Sequence, residues 1–451
     1  MYLYGGLPRP VALGILLLFA LYLGLYHALF GGLLALIHRQ TGLIAALFAA
    51  PFLWVAIELA RARVTGFPWD LLGYAQVDNG LLTQLAPVGG VLLLSFIVAA
   101  VCALFAAACL LPRHLLRPTF AAAIVLATCL QLGTLYQSSQ DPAAHHATLL
   151  QENLAVGAPG RDVEVLSMQE KYRQFVSLSH SAKIVWLLEP GVLKMGAADK
   201  LENDFIIWPE APADFATTDP TFRAQLGALA AQTHTPVVVG SIGVDADPSA
   251  ELGYREYGSA AFFNSSGAYT GRYDKIHRVP WGEYVPYKQL FSFAGKLISG
   301  VGNMEAGTEH KVFRANDHNF SVFICYESIF GDEVRTFVNN GAEVLINISD
   351  DGWYGDTGAP WQHLDMARMR AIENRRWILR DTNTGVTTAI DPHGRGIFIA
   401  PRHVRAAFNF PFNYRSDVTF YTRHGDWFAW LCVIVSAGLL AMGFTRRSEV
   451  H

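Results

Sequence analysis

From Val11 to Ile37 the chain reads VALGILLLFALYLGLYHALFGGLLALI, in which His27 is the only ionisable side chain once the tyrosines are set aside. Wound as a helix, such a run is long enough to cross a hydrocarbon layer of about 30 Å. In that layer only structures that satisfy every backbone N–H and C=O internally persist. The run therefore predicts a spanning helix. It lacks the short apolar core and small-residue cleavage site of a signal peptide, so the helix is expected to be retained. Three further runs extend the pattern: Gly42 to Ala60, interrupted by Pro51 and Glu58, then about Leu85 to Leu111, then Thr119 to Tyr136. A fifth, about Trp427 to Phe444, closes the chain. The connection TGFPWDLLGYAQVDNG, Thr65 to Gly80, is too rich in Gly, Pro and Asp to span. It is expected at the membrane surface, where Trp69 and Tyr74 are at home.

Composition agrees: 52% hydrophobic residues against 16% charged is too apolar for an ordinary soluble chain. A net charge of −4 with no basic run argues against a nucleic-acid partner, because phosphate binding needs clustered Lys and Arg. Four of the five cysteines, Cys102, Cys109, Cys129 and Cys432, lie in apolar segments. Cys325 is thus the one thiol of the polar part, and no disulfide framework is possible there. That usage fits an oxidising, noncytoplasmic compartment. Basic residues near span ends favour the cytoplasmic side. Arg446 with Arg447, Arg113 with Arg117, and His38 with Arg39 then lie inside, which puts everything from about Gln137 to Asp426 outside. Arg61 and Arg63 fall on the outer side and count against the scheme, which also leaves the N-terminus external.

Between Ala147 and Asn409 the texture changes to short apolar strands alternating with amphipathic stretches. ATLLQEN, DFIIWPE, PVVVGSI, SAAFFNS, FSVFIC, EVLINIS and WILRDTN read as strands. Helices are expected near Val165 to His180, Phe222 to Thr233, Ile329 to Asn339 and Trp361 to Arg376, and the polar insertion Leu188 to Asn203 as a loop. Strands alternating with helices indicate a layered α/β domain. The expected division is a transmembrane helical domain over 1–136 with about four spans, a soluble domain over 137–425, and a C-terminal transmembrane helix with its tail over 426–451.

Three polar residues end strands or sit in turns as a core would not require. In FSVFICYESIFGDEVR an apolar strand stops at Cys325 and helical spacing follows within a few residues. A cysteine in that setting is ordinarily core. Beside a helix N-terminus, however, its thiol pKa is expected to fall below the usual value of about 8.5. Glu210 follows FIIWP, and Lys275 sits in the turn-rich RYDKIHRVPWGEYVP, where it reads as an exposed loop lysine. Carboxylate, ammonium and thiol together make an acyl-transfer set: the Glu takes the thiol proton, the sulfur attacks a carbonyl, and the Lys with backbone N–H groups steadies the oxyanion.

WPE at 208–210, YDKIHRVPWGEYVP at 273–286 and ICYE at 324–327 resemble the Glu, Lys and Cys motifs of the nitrilase superfamily. GFPWDLLGYAQ at 66–76 and the long stretch from NISDDGWYG through DPHGR at 347–395 are similar to the apolipoprotein N-acyltransferase family. The resemblance implies a nitrilase-like αββα sandwich attached to a multi-span helical domain, in the bacterial inner membrane with the catalytic domain periplasmic. It implies transfer of an acyl chain from the sn-1 position of a phospholipid, preferably phosphatidylethanolamine, to the α-amino group of the diacylglyceryl cysteine of a lipoprotein. Carried over by motif, Cys325 is the nucleophile that becomes a thioester, Glu210 the general base and Lys275 the stabiliser of the tetrahedral intermediate. Glu283 would hold the lysine or the thiol, and Tyr326 and Glu327 flank the nucleophile. No cofactor is implied. His145 and His146 are adjacent, but nothing stands at metal-ligand spacing from them, so no metal site is expected. His363 reads as a loop or cap partner, and Asp350, Asp351, Trp353 and Tyr354 as shaping a loop at the active face.

The family has seven spans ahead of its soluble domain where four are counted here. The chain thus reads as an N-terminally shortened relative or one whose start lies upstream. QEN at 151–153 runs into LAVGAPG, and the insertion before WPE is long; both bear on the acceptor. Two rivals use the same residues differently: a membrane-tethered nitrilase-type amidase or hydrolase with another acceptor, and a noncatalytic scaffold. An intact triad without lipoprotein acylation would favour the first, and loss of a triad residue the second.

Overall fold

The computed structural model describes residues 8–111, 113–136, 143–154, 156, 167–181, 184–189, 192–197, 203–210, 215–250, 252–285 and 303–448. The expected boundary at 136/137 therefore abuts residues outside the described set. Each apolar run is helical: α1 (Arg9–Thr41), α2 (Leu43–Val64), α3 (Ala86–Leu110) and α4 (Arg113–Gly133) precede the strands. Among the described residues, three helices, Arg9–Thr41, Leu43–Val64 and Leu82–Leu110, are long and apolar enough to cross a membrane. Two shorter apolar helices span Arg117–Gly133 and Trp427–Met442. On α1 the leucines at 13, 16, 17, 18, 21 and 25 are all exposed, a surface that only a lipid environment tolerates at this extent. Glu58 inside α2 is not stranded, since its carboxylate accepts from the Leu72 N–H at 2.7 Å. That bond draws the 66–76 connection onto the helices. Gly73 is required there, because a Cβ would stand 2.3 Å from the Val91 carbonyl oxygen.

The part that follows is built on two sheets. The first orders its eight strands β3-β2-β13-β1-β4-β5-β6-β7. In chain order these are β1 (His145–Gln151), β2 (Ile184–Glu189), β3 (Val192–Ala197), β4 (Phe205–Trp208), β5 (Val237–Ala246), β6 (Tyr254–Phe263), β7 (Tyr269–Asp274) and β13 (Ala406–Phe412). The second orders five, β12-β11-β10-β9-β8, from β8 (Phe313–Ala315), β9 (His318–Ile324), β10 (Val344–Ser349), β11 (Ile378–Thr382) and β12 (Thr388–Ile390). The strand period of two decides which faces meet. In β4, Phe205 and Ile207 join the core between the sheets, while Ile206 and Trp208 join a second core under α5 (Met168–Ser179) and α6 (Pro220–Thr233). On the other side, α7 (Gly331–Asn339) brings Val334, Phe337 and Val338 into the central core, and α8 (Ala359–Asn374) brings Leu364, Ala367 and Ala371. The layers are helix, sheet, sheet, helix, the αββα order that the motifs imply.

All seven expected strands and all four expected helices form, with ends shifted by a few residues. The expected loop over Leu188–Asn203 does not hold where residues are described. There β2 and β3 pair as an antiparallel hairpin, Ile184 opposite Ala197 through Glu189 opposite Val192, at the sheet edge. Residues 190–191 and 198–202 lie outside the described set. Edge strands carry polar residues such as Lys194 that mask the alternation. Strand β13 was also not foreseen, and it fills the gap between β1 and β2 from far along the chain.

A third core joins the helices to the sandwich: Val55, Leu59, Leu71, Val91 and Leu92 pack with Tyr326, Ile329, Phe330, Met366 and Met369. After the short helix α9 (Phe420–His424), the chain returns to the apolar helices as α10 (Trp427–Ser448). Arg63 of α2 pairs with Asp332 of α7, and with Asp426 at 2.6 Å. The segment carrying Tyr326 and Phe330 is therefore the seam between the two halves.

Candidate active site

Strands β1, β4 and β5 run parallel, as do β9, β10 and β11, so the carboxyl ends of each set gather at one end of the sandwich. Glu210 follows β4, Cys325 follows β9 and Asp350 follows β10. Lys275 follows β7, pinned by its N–H to the Gly258 carbonyl and by its own carbonyl to the Gly307 N–H, both 2.8 Å. Its ammonium donates to Glu210 Oε1 at 3.0 Å and to Glu283 Oε1 at 2.5 Å. The other oxygens of both acids are held by backbone: Asp350 N–H donates to Glu210 Oε2 at 2.9 Å, and Val279 N–H to Glu283 Oε2 at 3.0 Å.

Lys275 is not an exposed loop residue. Its side chain is 1% exposed. Burial alone would drive the proton off, but Glu210 and Glu283 outweigh it and hold the ammonium charged well above the ordinary lysine range.

Cys325 also departs from expectation. It opens a 3₁₀ turn, Cys325–Ile329, whereas α7, the helix expected to follow it directly, starts only at Gly331. Burial pushes the thiol pKa well above its usual value, the Glu210 carboxylate pushes further, and Lys275 offsets only part. The thiol is thus held protonated beside the Glu210 carboxylate. Its backbone adopts φ +49°, a left-handed conformation that costs a residue with a Cβ about 1 kcal/mol or more.

Glu327 does more than flank Cys325. Fully buried, it accepts from Ile324 N–H at 2.6 Å, from Ile276 N–H and the Tyr273 hydroxyl at 2.7 Å, and from His277 N–H at 3.2 Å. One carboxylate thereby staples the Lys275 turn to the Cys325 turn. The Tyr326 hydroxyl donates to the Gly66 carbonyl at 3.2 Å and ties that turn to the 66–76 connection.

Sequence reasoning left out a second polar group beneath the turn. Asp351 Oδ1 meets His363 Nδ1 at 2.8 Å and accepts from Ser349 Oγ at 2.8 Å, while Oδ2 accepts from Arg380 at 2.7 Å. Burial opposes charge on Asp351, yet Arg380 and His363 hold it well below the usual carboxylate range. Polar residues alternating on a buried strand, Asn347 and Ser349 on β10 and Arg380 on β11, were the available signal. His145 and His146 lie away at the start of β1, beside Asp204 at 3.1 Å and Asn409 at 3.0 Å.

Residues 134–413 match the carbon-nitrogen hydrolase family model, and residues 1–104 match that of the apolipoprotein N-acyltransferase N-terminal domain. An apolipoprotein N-acyltransferase of Geobacter metallireducens is 34% identical over 99% of this chain and 83% of the relative. Another, of Methylococcus capsulatus, is 33% identical over the same shares. Among solved structures, Nit3 of Saccharomyces cerevisiae, a nitrilase-superfamily member, aligns with TM-score 0.43 and 15% identity over 61% of this chain and 93% of its own. Two family models in tandem, and relatives matched across nearly the whole chain, account for both the apolar helices and the sandwich: the chain belongs to the apolipoprotein N-acyltransferase family.

Proposed function

We propose that the protein moves an acyl chain from a phospholipid, with phosphatidylethanolamine the preferred donor, through a thioester on Cys325 to the α-amino group of the diacylglyceryl cysteine at a lipoprotein N-terminus. The observation that carries the reading is Lys275, buried with its charge intact between Glu210 and Glu283. Burying an ammonium between two carboxylates is a poor way to gain stability, so its retention here supports a role for the charge beyond holding the fold.

The chemistry runs in two halves. Glu210 takes the thiol proton as sulfur attacks the ester carbonyl, and Lys275 opposes the charge that grows on the carbonyl oxygen. The intermediate then expels the lysophospholipid alkoxide, which recovers the proton from Glu210 and leaves the thioester. In the second half the acceptor amine attacks the thioester, Glu210 takes a proton from the attacking nitrogen, and the thiol leaves with that proton returned. A thioester retains enough reactivity for a neutral amine. A thiol kept protonated until an electrophile arrives suits this order, because no free thiolate waits to be consumed by other reagents.

We further propose that 1–136 is a transmembrane helical domain and 426–451 a transmembrane helix with its cytoplasmic tail, in the bacterial inner membrane, and that 137–425 is the catalytic domain on the periplasmic side. Both substrates are lipid-anchored, so a site held at the bilayer surface gains the proximity a soluble enzyme lacks. The test is reconstitution in vesicles with phosphatidylethanolamine and a diacylated lipopeptide. Lysophospholipid and triacylated lipopeptide should appear in equal amounts. Free fatty acid with no lipopeptide product would favour the hydrolase reading instead.

A further inference from the structure

The left-handed backbone of Cys325 needs something to hold it, and His363 is placed to do so. Its ring is fully buried on α8, and Nε2 lies 3.0 Å from the Cys325 carbonyl oxygen. A carbonyl only accepts, so that nitrogen donates. On the other side Nδ1 meets Asp351, itself anchored by Arg380. Above the ring, Trp69 stacks at 5.7 Å between centroids with 22° between planes. Trp69 is fixed in turn by its Nε1–H to Gln362 Oε1 at 3.1 Å. The ring therefore has one available orientation, set by the sandwich below and by the connection between α2 and α3 above.

We propose that His363 is a positioning residue for the acyl-transfer reaction: by donating to the carbonyl of the nucleophile itself, it holds Cys325 in the conformation that aims sulfur at Glu210 and Lys275. A buried histidine bonded to an arbitrary carbonyl would be an ordinary core feature. Here the acceptor belongs to the residue with the strained φ of +49°, where release would let the peptide relax to negative φ and swing the side chain away. The Trp69 contact adds that the 66–76 motif, which the reaction chemistry does not otherwise use, presses on the same ring.

In its chemistry this rests on Cys325 being the nucleophile, and the experiment separates the two. In the full-length protein, His363→Gln places an amide N–H where Nε2 was, whereas His363→Asn reaches only the Asp351 side. Both are polar and neither overfills the site. Two rates on Cys325 are compared: single-turnover acylation by phosphatidylethanolamine, and alkylation by iodoacetamide, which needs no acyl donor. We expect the Gln variant within about threefold of the parent in both rates, and the Asn variant slowed at least about tenfold in both, with the donor KM within about twofold. Equal rates for Asn and Gln, or slowing confined to KM, would overturn the positioning role. A parent protein that is alkylated but never acylated would sink the functional reading, while the Asn-to-Gln ratio of alkylation rates would still decide the positioning.

Discussion

Two buried charged groups sit within reach of the same cysteine. Lys275 lies between Glu210 and Glu283, whose side chains are each 17% exposed. Asp351, between His363 and Arg380, is closed off entirely, with all three side chains at 0%. Both groups are well hydrogen-bonded, so neither is a packing fault. They differ in where they are open. The lysine group keeps part of each carboxylate accessible, as the proposed proton exchange with a substrate requires. The aspartate group spends its capacity on the protein itself, and its reach toward the sulfur runs through a backbone carbonyl. On the proposed mechanism, openness separates the group that reacts from the group that aims.

Replacing one member of each group sharpens the distinction. Glu210→Gln should lower the single-turnover acylation rate by about 10²- to 10⁴-fold, the range for loss of a general base, with thermal unfolding little changed. A rate within tenfold of the parent would remove Glu210 from the role of base. Lys275→Met would be equally inactive but also less stable, since it leaves two carboxylates facing each other without their cation. In the closed group, Arg380→Met strands a fully buried Asp351 and should cost about 3–5 kcal/mol of stability by denaturant unfolding, while the folded fraction still acylates slowly. If Arg380→Met left stability unchanged, the second group would not be structural scaffolding.

Glu327→Gln is expected to come next, at about 1–3 kcal/mol, because an amide cannot accept on both sides where Glu327 meets backbone N–H donors. Hydrogen exchange should rise on the side that meets the amide nitrogen, at Ile324 or at Ile276 with His277; exchange unchanged on both sides would break the staple argument.

The smallest effect concerns pH. Glu333 on α7 bridges His277 at 3.0 Å and His310 at 2.7 Å. Burial opposes its charge, but hydrogen bonds from both histidines lower its pKa to about 2. Burial lowers and Glu333 raises His277, with a net rise; for His310 the bond to Glu333 is the leading cause of the rise. A raised histidine contributes stability that is complete below its unfolded pKa and lost as pH climbs through the folded value, while the Glu333 part is lost only as pH falls toward about 2. The melting temperature advantage of the parent over Glu333→Gln should therefore be larger at pH 5.5 than at pH 8.5. An advantage that grew with pH would contradict the bridge.

How far the sequence carried differs between the same two groups. Glu210 and Cys325 each end an apolar strand, a pattern visible residue by residue, and Lys275 with Glu283 lies in one compact motif. The spanning helices were legible for the same reason, since lipid imposes a long uniform signal. What could not be read was anything set by pairing at a distance. Lys275 looks exposed in sequence because turns usually are, and only the approach of strands from two sheets buries it. The raised thiol pKa of Cys325 follows first from burial and then from the Glu210 carboxylate, neither of which is local. His363 lies on a helix, Asp351 in a turn and Arg380 on a strand, with nothing in their spacing to join them. The hairpin of β2 and β3 was hidden by edge polarity, and β13 by its distance along the chain from β1.

The central claim, that the open group makes Cys325 an acyl carrier, is tested most directly by intact mass measurement of the full-length protein after incubation with phosphatidylethanolamine. The account predicts one added acyl group, located on Cys325, released by neutral hydroxylamine and absent from Cys325→Ala. Acyl mass on another residue, or none on a folded sample, would contradict it.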